Sequence, residues 1–442
     1  MTTSRMSRRS ALKRLAAAGL AAPFVFRAHA GAAPSETLLH ASFGANGMAL
    51  SDIGSLTASK HLKLVAVAEV DLKRVADVKK RFPDVKVYQD WRELLDKEKG
   101  LNSVNVSTPD HMHAPITMRA MQQGLQVYTQ KPLTQTIYEA RQLRKVAADK
   151  KLVTQMGIQI HSAAEHRTVV ATIQAGAVGK VKEVYSWSGK DWGEGEKHRR
   201  PERTDAVPAD LKWDFWLGVA ADRPFIGDGY YHPGNWRKRI DFGTGTFGDM
   251  GCHILDPVFG SLALTAPKSV HSEGGAPNDD SWGLEGEVKY VFPGTKYTTE
   301  TLTLTWYHGN RRPPADVQKL VGGQVPLQGS IYVGTEGVLY SPYIAMPVLL
   351  PAEKFKDYKL PKQRGEDHYL QFVEACRGNG KTSAPFDYAG PLTESVLLGC
   401  LATRFPKTTL EWDAAKLAVT NVTEANRFVR REYRKGWGVD GL

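Results

Sequence analysis

The segment Leu38–Asp71 constrains the fold most, because it reads as strand, glycine turn, helix, strand and terminal acid. The apolar run Leu38–Phe43 is followed directly by the turn Gly44–Ala49, and a second apolar run, Leu62–Ala68, ends at Glu69. In such a unit the backbone N–H groups of the turn bind a pyrophosphate at a helix N-terminus, while the acid accepts a hydrogen bond from a ribose hydroxyl. The segment therefore predicts a dinucleotide-binding unit.

The turn departs from the usual glycine pattern at two positions. Asn46 stands where a second glycine is usual, and Ala49 stands where a third is usual. Asparagine tolerates left-handed backbone, so the turn can still form, although an ordinary strand-to-helix turn remains the alternative. Glu69 favours NAD, while the nearby Lys73 and Arg74 leave NADP open. The residues of this unit that we assign to the cofactor are Gly44, Asn46, Gly47, Met48, Glu69 and Asp71.

Short apolar runs and helix-compatible segments alternate as far as residue 160. The further runs are Val85–Tyr88, Ser103–Ser107, Leu125–Tyr128 and Leu152–Ile160. This alternation predicts an α/β Rossmann-type domain with a doubly wound parallel sheet over residues 36–160. Ligands of such sheets bind at the carboxyl ends of the strands. The candidate cofactor residues at those ends are Thr108, Pro109, His113, Gln130 and Lys131.

The second half of the chain changes to a period of two. Val181–Trp187, Leu284–Tyr290 and Tyr297–Trp306 alternate apolar and polar residues, which is typical of half-buried antiparallel strands. We therefore expect an α+β domain with a large, mostly antiparallel open sheet over residues 161–436, used for substrate binding. The helices predicted beside this sheet are Ala163–Gly179, His368–Arg377, Pro391–Arg404 and Val422–Lys435.

An irregular stretch, residues 189–242, is dense in aromatic and charged residues. Loops of this length are uncommon unless they are functional, and flat aromatics beside hydrogen-bonding groups suit the faces and hydroxyl rims of sugars. The alternative is a lid packed by its own aromatic residues. The candidate substrate residues are His161, Trp192, Tyr231, Trp236 and Arg237.

The segment Gly243–Asp256 places Asp249 and His253 four residues apart, so both side chains project from one face of a helix. A carboxylate behind an imidazole fixes its tautomer and raises its basicity, which suits a general base. The alternative is an acid at a helix start and a satisfied core histidine.

Cys252 is a nucleophile or, on the plainer interpretation, a small buried apolar residue. His111 and His113 lack partners at ligand spacing, so no metal site is predicted.

Taken together, these motifs resemble those of the glucose–fructose oxidoreductase / inositol dehydrogenase / rhizopine-catabolism (Gfo/Idh/MocA) family. The resemblance covers roughly residues 36–436 and rests on the turn Gly44–Ala49, Ser107–Asp110 with His113, Lys131–Leu133, and the pair Asp249 and His253. It implies that Lys131, Asp249 and His253 carry catalysis, that C-terminal helices return to the cofactor domain, and that the open sheet forms a homo-oligomer interface. Gln130 departs from the glutamate usual in this family, which removes one possible partner of Lys131.

The function expected from the resemblance is hydride transfer between a hydroxyl of a sugar or glycoside and NAD(P), with His253 as base and Lys131 stabilising the alkoxide. One alternative is an NAD-dependent glycosidase with an internal redox cycle, a branch that uses a Tyr-x-x-His spacing where this chain has Met250. Another alternative is a non-enzymatic sugar-binding or redox-sensing protein that keeps the fold.

The first thirty residues predict export. Arg8 and Arg9 precede the apolar run Leu15–Phe26 and the small residues Ala28-His29-Ala30, which resembles a twin-arginine signal over residues 1–30. An uncleaved anchor and an ordinary secretory signal are the alternatives. The expected location is periplasmic or secreted, with the twin-arginine translocase as a transient partner. Because free NAD is scarce there, we expect the cofactor to stay bound through turnover.

The net charge argues against a nucleic-acid partner. The formal charge is +11, and residues 1–30 contribute six basic residues and no acid, so the remainder carries +5. That remainder contains no basic run interleaved with aromatics, as nucleic-acid binding requires. Three cysteines are too few for a disulfide scaffold, which suits a protein that folds in a reducing cytoplasm before export.

Overall fold

Six parallel strands form the first sheet, in the order β3-β2-β1-β4-β5-β6. The computed structural model describes residues 37–442, so the predicted export signal lies outside the described residues. The strand order reverses between β1 and β4, which is where doubly wound sheets bind ligands. The elements are β1 Leu38–Phe43, α1 Met48–Leu56, β2 Leu62–Ala68, α2 Ala76–Arg81, β3 Lys86–Tyr88, α3 Trp91–Lys97, β4 Ser103–Val106, α4 His113–Gln122, β5 Gln126–Gln130, α5 Ile137–Asp149 and β6 Thr154–Gly157.

The second sheet has nine strands, in the order β13-β12-β11-β7-β10-β9-β8-β14-β15. Its elements, with the associated helices, are α6 Ala164–Gln174, β7 Val181–Ser188, α7 Trp213–Leu217, α8 Gly245–Ile254, α9 Asp256–Leu262, β8 Ser269–Gly274, β9 Gly286–Pro293, β10 Thr298–His308, α10 Ala315–Lys319, β11 Gln328–Gly334, β12 Val338–Pro342, β13 Val348–Leu350, α11 His368–Cys376, α12 Phe386–Ala402, β14 Thr409–Asp413 and β15 Ala418–Val419.

One strand pair differs from the predicted antiparallel arrangement. β7 and β10 are neighbours and run parallel, while the other pairs of this sheet are antiparallel. The long connection between them, which contains α7, α8 and α9, allows a crossover that a hairpin does not. A period of two describes a half-buried strand of either direction, so the sequence pattern could not distinguish them. The parallel cofactor sheet and the mostly antiparallel second sheet are both confirmed.

Helix α8 is held on the second sheet by an aromatic stack. Phe247 of α8 lies over Trp306 of β10, with ring centroids 4.7 Å apart and planes at 7°. Both rings are buried. The Phe247 ring packs directly against Gly251 of the same helix, because a Cβ at position 251 would lie 2.8 Å from that ring. The helix that carries Asp249 and His253 is therefore fixed in place by the core rather than by its own hydrogen bonds alone.

The last predicted helix, Val422–Lys435, is wrong. The chain forms one 3-10 turn, Thr423–Phe428, and then runs without regular structure. Side-chain contacts with distant segments take the place of helical hydrogen bonds, because the Tyr433 hydroxyl donates to Glu139 at 2.7 Å and Arg434 donates to the carbonyl oxygen of Gly218 at 3.0 Å. Tertiary contacts of this kind override weak helix propensity.

Residues 189–242 contain one short helix, α7, and one 3-10 turn, and have a small core of their own. Trp213 and Trp216 stack with centroids 4.8 Å apart. No helix within residues 37–442 combines the length and the apolar character that a bilayer crossing requires.

Candidate active site

The glycine turn between β1 and α1 is closed against the end of β2. Gly44 has φ of 99°, and a Cβ at this position would lie 2.7 Å from the Ser107 carbonyl oxygen, so no other residue fits. The Ala45 N–H donates to the Glu69 carboxylate at 3.1 Å. The predicted turn and the predicted acid therefore form one unit at the mouth of the sheet.

Asn46 has a structural reason to replace glycine. Its side-chain oxygen accepts hydrogen bonds from the Gly47 N–H at 2.7 Å and from the Arg74 guanidinium at 3.1 Å. Arg74 is thereby held beside Glu69, whose pKa is raised, first of all by burial. An acid that favours the NAD ribose and an arginine that could accept a 2′-phosphate thus share one wall of the site.

Asp71 does not line this site, contrary to prediction. Its carboxylate accepts from the Lys73 N–H at 3.1 Å and pairs with the His232 ring at 2.9 Å. The backbone N–H of Lys212 also donates to the Val70 carbonyl oxygen at 3.0 Å. Asp71 therefore ties the irregular stretch to the cofactor sheet.

A cleft with an empty volume of about 1230 Å³, open at its mouth, runs along the carboxyl ends of the strands. One wall consists of the remaining predicted cofactor residues, which are Gly44, Asn46, Gly47, Met48, Glu69, Thr108, Pro109, His113, Gln130 and Lys131. The other wall comes from the irregular stretch and contains Phe215, Trp216, His232, Pro233, Trp236 and Arg237. A glycine turn with no room for a side chain, an acid beside it and apolar walls are the features that a bound dinucleotide requires, so the residues fit NAD.

His113 braces the two strand ends that meet at the cleft. Its ring nitrogens lie 2.7 Å from the Pro132 carbonyl oxygen and 2.8 Å from the Thr108 carbonyl oxygen. Burial lowers its pKa. With both nitrogens facing backbone carbonyl oxygens, His113 positions Thr108 and Lys131 in the wall of the cleft.

Gln130, which replaces the usual glutamate, is paired with a carboxylate from another element. Its amide nitrogen lies 3.0 Å from each oxygen of Asp52 on α1, and Asp52 also accepts from the hydroxyls of Ser107 at 2.6 Å and Tyr369 at 2.8 Å. Burial raises the pKa of Asp52 to about 6. A carboxylate therefore lies on the helix behind the strand tip, and the sequence pattern predicted neither Asp52 nor Tyr369.

Lys131 and Asp249 form a close ion pair beside the cleft. The Lys131 ammonium lies 2.6 Å from Asp249 Oδ1 and 3.1 Å from the Asp249 carbonyl oxygen. Lys190 Nζ is 3.5 Å from Oδ2, and Arg237 Nε is 3.4 Å from Oδ1. Burial alone would raise the pKa of Asp249, but the three cations hold it well below its ordinary value. Asp249 is therefore an anion at every working pH.

His253 lies one helical turn further on, and its surroundings differ from those predicted. Its Nδ1 has no hydrogen-bond partner among residues 37–442, and the hydrogen bonds of the Asp249 carboxylate go to lysines, so Asp249 does not orient the ring. Burial, followed by the charge of Lys131, lowers the pKa of His253 to about 3. The imidazole is neutral at neutral pH and lines a narrow cavity with Glu165 and Tyr343, which leaves only about 20 Å³ of space for water.

His161 is not in the cleft, contrary to its predicted substrate role. Its Nδ1 lies 2.9 Å from Oδ1 of the buried Asp256, while His166 Nδ1 lies 3.0 Å from Oδ2. The Tyr388 hydroxyl donates to the same carboxylate at 2.5 Å. The two imidazoles and Asp256 offer donor atoms within 4.8 Å of one another, a spacing that could hold a divalent cation. The sequence pattern did not predict this cluster because Asp256 lies 95 positions after His161 in the chain.

The candidate substrate residues of the irregular stretch divide into two groups. Trp236 and Arg237 line the cleft, and the Arg237 guanidinium also lies over Trp192, 5.5 Å from its ring centroid. Tyr231 is completely buried, with its ring 5.5 Å from that of Trp213, so it packs the stretch from inside and does not face substrate.

Both halves of the chain match models of one oxidoreductase family. Residues 40–158 match its NAD-binding Rossmann fold, and residues 163–295 match its C-terminal alpha/beta domain. Levoglucosan dehydrogenase of Pseudarthrobacter phenanthrenivorans is 23% identical over 191 residues, which are 43% of this chain and 40% of that protein. The NADP-dependent scyllo-inositol 2-dehydrogenase IolW of Bacillus subtilis is 24% identical over 204 residues, 46% of each chain. The matches thus span less than half of these relatives.

A solved structure shares the fold over most of both chains. The WlbA dehydrogenase of Bordetella pertussis, solved with NADH and UDP-GlcNAcA, has a TM-score of 0.61 at 12% identity, covering 85% of this chain and 99% of that one. With the turn, the strand-tip lysine and the helix of Asp249 and His253 in place, the match to both domain models decides the assignment: the chain belongs to the Gfo/Idh/MocA family of NAD-binding oxidoreductases.

Proposed function

We propose that this chain is a dehydrogenase that moves hydride between a hydroxyl-bearing carbon of a sugar or glycoside and a retained NAD. The observation that carries the proposal is that Lys131, paired with Asp249 at 2.6 Å, lines the same cleft as the residues that fit the dinucleotide. Support comes from the relatives, whose names include levoglucosan and inositol dehydrogenases. When bound, the nicotinamide supplies the hydride acceptor.

The residues around the pair suit the proton that must leave with the hydride. Lys131, fixed by Asp249, donates a hydrogen bond to the substrate oxygen and stabilises the developing alkoxide. His253 is uncharged at neutral pH, so it is free to accept the proton. Its low pKa makes it a weak base, so we place it as a transient acceptor that passes the proton on to solvent. This role requires the substrate oxygen to reach His253 from the cleft, because Lys131 lines the cleft and His253 lines the narrow cavity.

Retention of the cofactor follows from the second wall of the cleft. The irregular stretch is tied to the cofactor sheet by the Asp71–His232 pair at 2.9 Å and by the Leu72 N–H, which donates to the Asp210 carbonyl oxygen at 3.0 Å. Opening this wall breaks these contacts, which slows cofactor release. We propose that the protein is exported folded by the twin-arginine route, works outside the cytoplasm and assembles into a homo-oligomer through the open sheet.

The deciding experiment is mass spectrometry of the small molecules released from natively exported protein, followed by a sugar and glycoside screen at the reduced-nicotinamide absorbance band. We expect about one NAD(H) per chain and a keto sugar as product. A glycoside cleaved without net redox change would instead identify a glycosidase. Protein that neither contains nor binds dinucleotide would contradict the proposal.

A further inference from the structure

We propose that the substrate carries an anionic group, a carboxylate or a phosphate, and that Arg237 and Lys190 bind it. The inference rests on the proposed function and adds the chemical class of substrate. Its starting point is an excess of cations at Asp249. Lys131, Lys190 and Arg237 all lie within 3.5 Å of this one carboxylate.

The other titratable groups nearby do not cancel the excess. Asp110 accepts a hydrogen bond from the Thr244 hydroxyl at 2.7 Å, and burial raises its pKa, so it is the weaker anion. Burial lowers the pKa of both His113 and His253, and an imidazole is never an anion at these pH values, so neither ring supplies a counter-charge. Even with Asp110 ionised, three cations face two carboxylates. Partly buried charge without a counter-charge is costly, and an anionic substrate removes that cost.

Arg237 has the geometry of a prepared anion receptor. Its guanidinium is flanked by Trp236, at 4.3 Å from the ring centroid, and by Trp192 at 5.5 Å. Its described polar contact is through Nε, and the two terminal nitrogens have no hydrogen-bond partner among residues 37–442. The side chain lines the cleft and is 29% exposed. A rigid fork with free donors is the arrangement that binds carboxylate or phosphate through two parallel hydrogen bonds.

The arginine two positions further on shows what a purely structural arginine looks like in this stretch. Arg239 is 4% exposed and donates to Asp280 at 3.0 Å and to the Ser281 hydroxyl at 2.5 Å. Its guanidinium contacts Glu194 as well. Arg239 is thus fully used within the protein, whereas Arg237 keeps its fork for a ligand.

Lys190 supplies a second, more accessible charge from another element. It follows the end of β7, and the neighbouring Trp192 N–H donates to the Thr246 hydroxyl at 2.7 Å, which anchors this strand end to α8. The Lys190 side chain is 47% exposed and its Nζ is 3.5 Å from Asp249, so the ammonium can turn to a ligand without losing a tight pair. It does not line the dinucleotide cleft, which separates its role from cofactor binding.

The test compares matched neutral and anionic sugars on the purified holoenzyme: glucose, glucuronate, gluconate and glucose 6-phosphate. We expect kcat/KM for at least one anionic sugar to exceed that for glucose about 100-fold, as for a charge-assisted bidentate contact. The sugar acids and the phosphate ester distinguish the two sources of the anion. R237Q and K190Q should each remove most of this preference, and K190Q should do so at an unchanged content of bound NAD.

K238Q is the matched control. Lys238 belongs to the same stretch, is 25% exposed and pairs with Glu194 at 3.3 Å, away from Asp249. Glucose oxidised as well as the anionic sugars, or a preference that survives both R237Q and K190Q, would overturn the inference. If R237Q loses its bound NAD, the sugar preference of K190Q alone decides whether the inference stands.

A thermal-shift titration of the holoenzyme with glucuronate, gluconate and glucose 6-phosphate separates this inference from the proposed function. Stabilisation by one of them, lost in K190Q, would support the anion site even if no sugar were oxidised. Oxidation of neutral sugars without such stabilisation would overturn the anion site and leave the dehydrogenase proposal standing.

Discussion

Asp249 on α8 and Asp256 at the start of α9 are two buried carboxylates with opposite surroundings. The partners of Asp249 are side chains with flexible stems, 14% exposed for Lys131 and 47% for Lys190. The partners of Asp256 are rings that are themselves enclosed, with His166 3% and His161 17% exposed. In both places neighbouring positive or donor groups hold the carboxylate pKa well below its ordinary value.

The difference shows that a low carboxylate pKa does not by itself mark a catalytic group. At Asp249 the cations can exchange the carboxylate for a ligand, because Lys131 and Arg237 line the cleft and Lys190 is half-exposed. At Asp256 the donors come from α6, from the turn after β6 and from α12, so the carboxylate joins three elements and both of its oxygens are already paired. We therefore expect substitution of Asp249 to lower mainly activity and substitution of Asp256 to lower mainly stability.

The largest effect is expected from K131M. Loss of the ammonium that binds the reacting oxygen should lower kcat about 1,000-fold or more, in the range for a positioned proton-transfer or oxyanion group. The NAD content should remain at the wild-type level, since the turn is untouched. The measurement is single-turnover reduction of bound NAD, with K145M on the surface of α5 as control. Unchanged turnover would contradict the assigned role.

D256N should have the largest effect on stability. Removing the charge from a buried pair leaves its partners unsatisfied, and we expect a loss of about 3–5 kcal/mol in the free energy of unfolding. D249N should cost less than half of this, because its cations can turn to solvent, but should reduce turnover about 100-fold. Urea unfolding and turnover of both variants test the comparison. Equal losses of stability would remove the distinction between the two sites.

A smaller effect concerns pH, where the two histidines should act in opposite directions. The interaction with Asp256 raises the pKa of His161 despite burial. The stabilisation of the folded state by protonated His161 is therefore fully present below about pH 6.5 and is lost as pH rises through the folded-state pKa. The pKa of His253 is lowered to about 3, so the folded state loses stability as pH falls from about 6.5 towards 3. H161Q should therefore differ most from wild type at acidic pH, whereas H253Q should gain relative stability there. The measurement is the urea unfolding midpoint of each variant and of wild type between about pH 4.5 and 9. Midpoints that change with pH in parallel for all three proteins would contradict the prediction.

The smallest effect is expected from C252S, on α8 between Asp249 and Asp256 in the chain. Cys252 is fully buried, and burial raises the pKa of its thiol to about 12, so it is not a thiolate nucleophile. Turnover should stay within about twofold of wild type, while burial of a hydroxyl costs about 1 kcal/mol. Iodoacetamide labelling of the native protein provides a second measurement. Rapid inactivation through Cys252 would restore the nucleophile hypothesis.

The sequence predicted the parts of the molecule that depend on local pattern. Gly44 and Glu69 follow directly from strand ends, and so does Lys131, which lies just beyond β5. Periodicity also located β7, β9 and β10. These features depend on residues within one or two elements of each other, which is why a single sequence reveals them.

What escaped prediction depends on contacts between distant residues. Asp52 is a polar residue on an ordinary helix until Gln130 and Tyr369 meet it, and Asp256 gains its role from a histidine 95 positions earlier. In the sequence alone, nothing distinguishes Lys190 from the other lysines of the chain. Tyr231 was misassigned because an aromatic residue that packs a loop and one that faces a sugar have the same local pattern.

The hydrogen bond from Tyr369 to Asp52 has a consequence for the order in which the protein is made. The helix behind the glycine turn is completed by α11, and the last strand of the cofactor sheet is bordered by Ala384, whose carbonyl oxygen accepts from the Met156 N–H at 2.9 Å. Tyr369 and Ala384, late in the chain, thus complete the packing behind a turn whose own residues are made early. A chain cut short before α11 therefore lacks the tyrosine hydroxyl that donates to the buried Asp52.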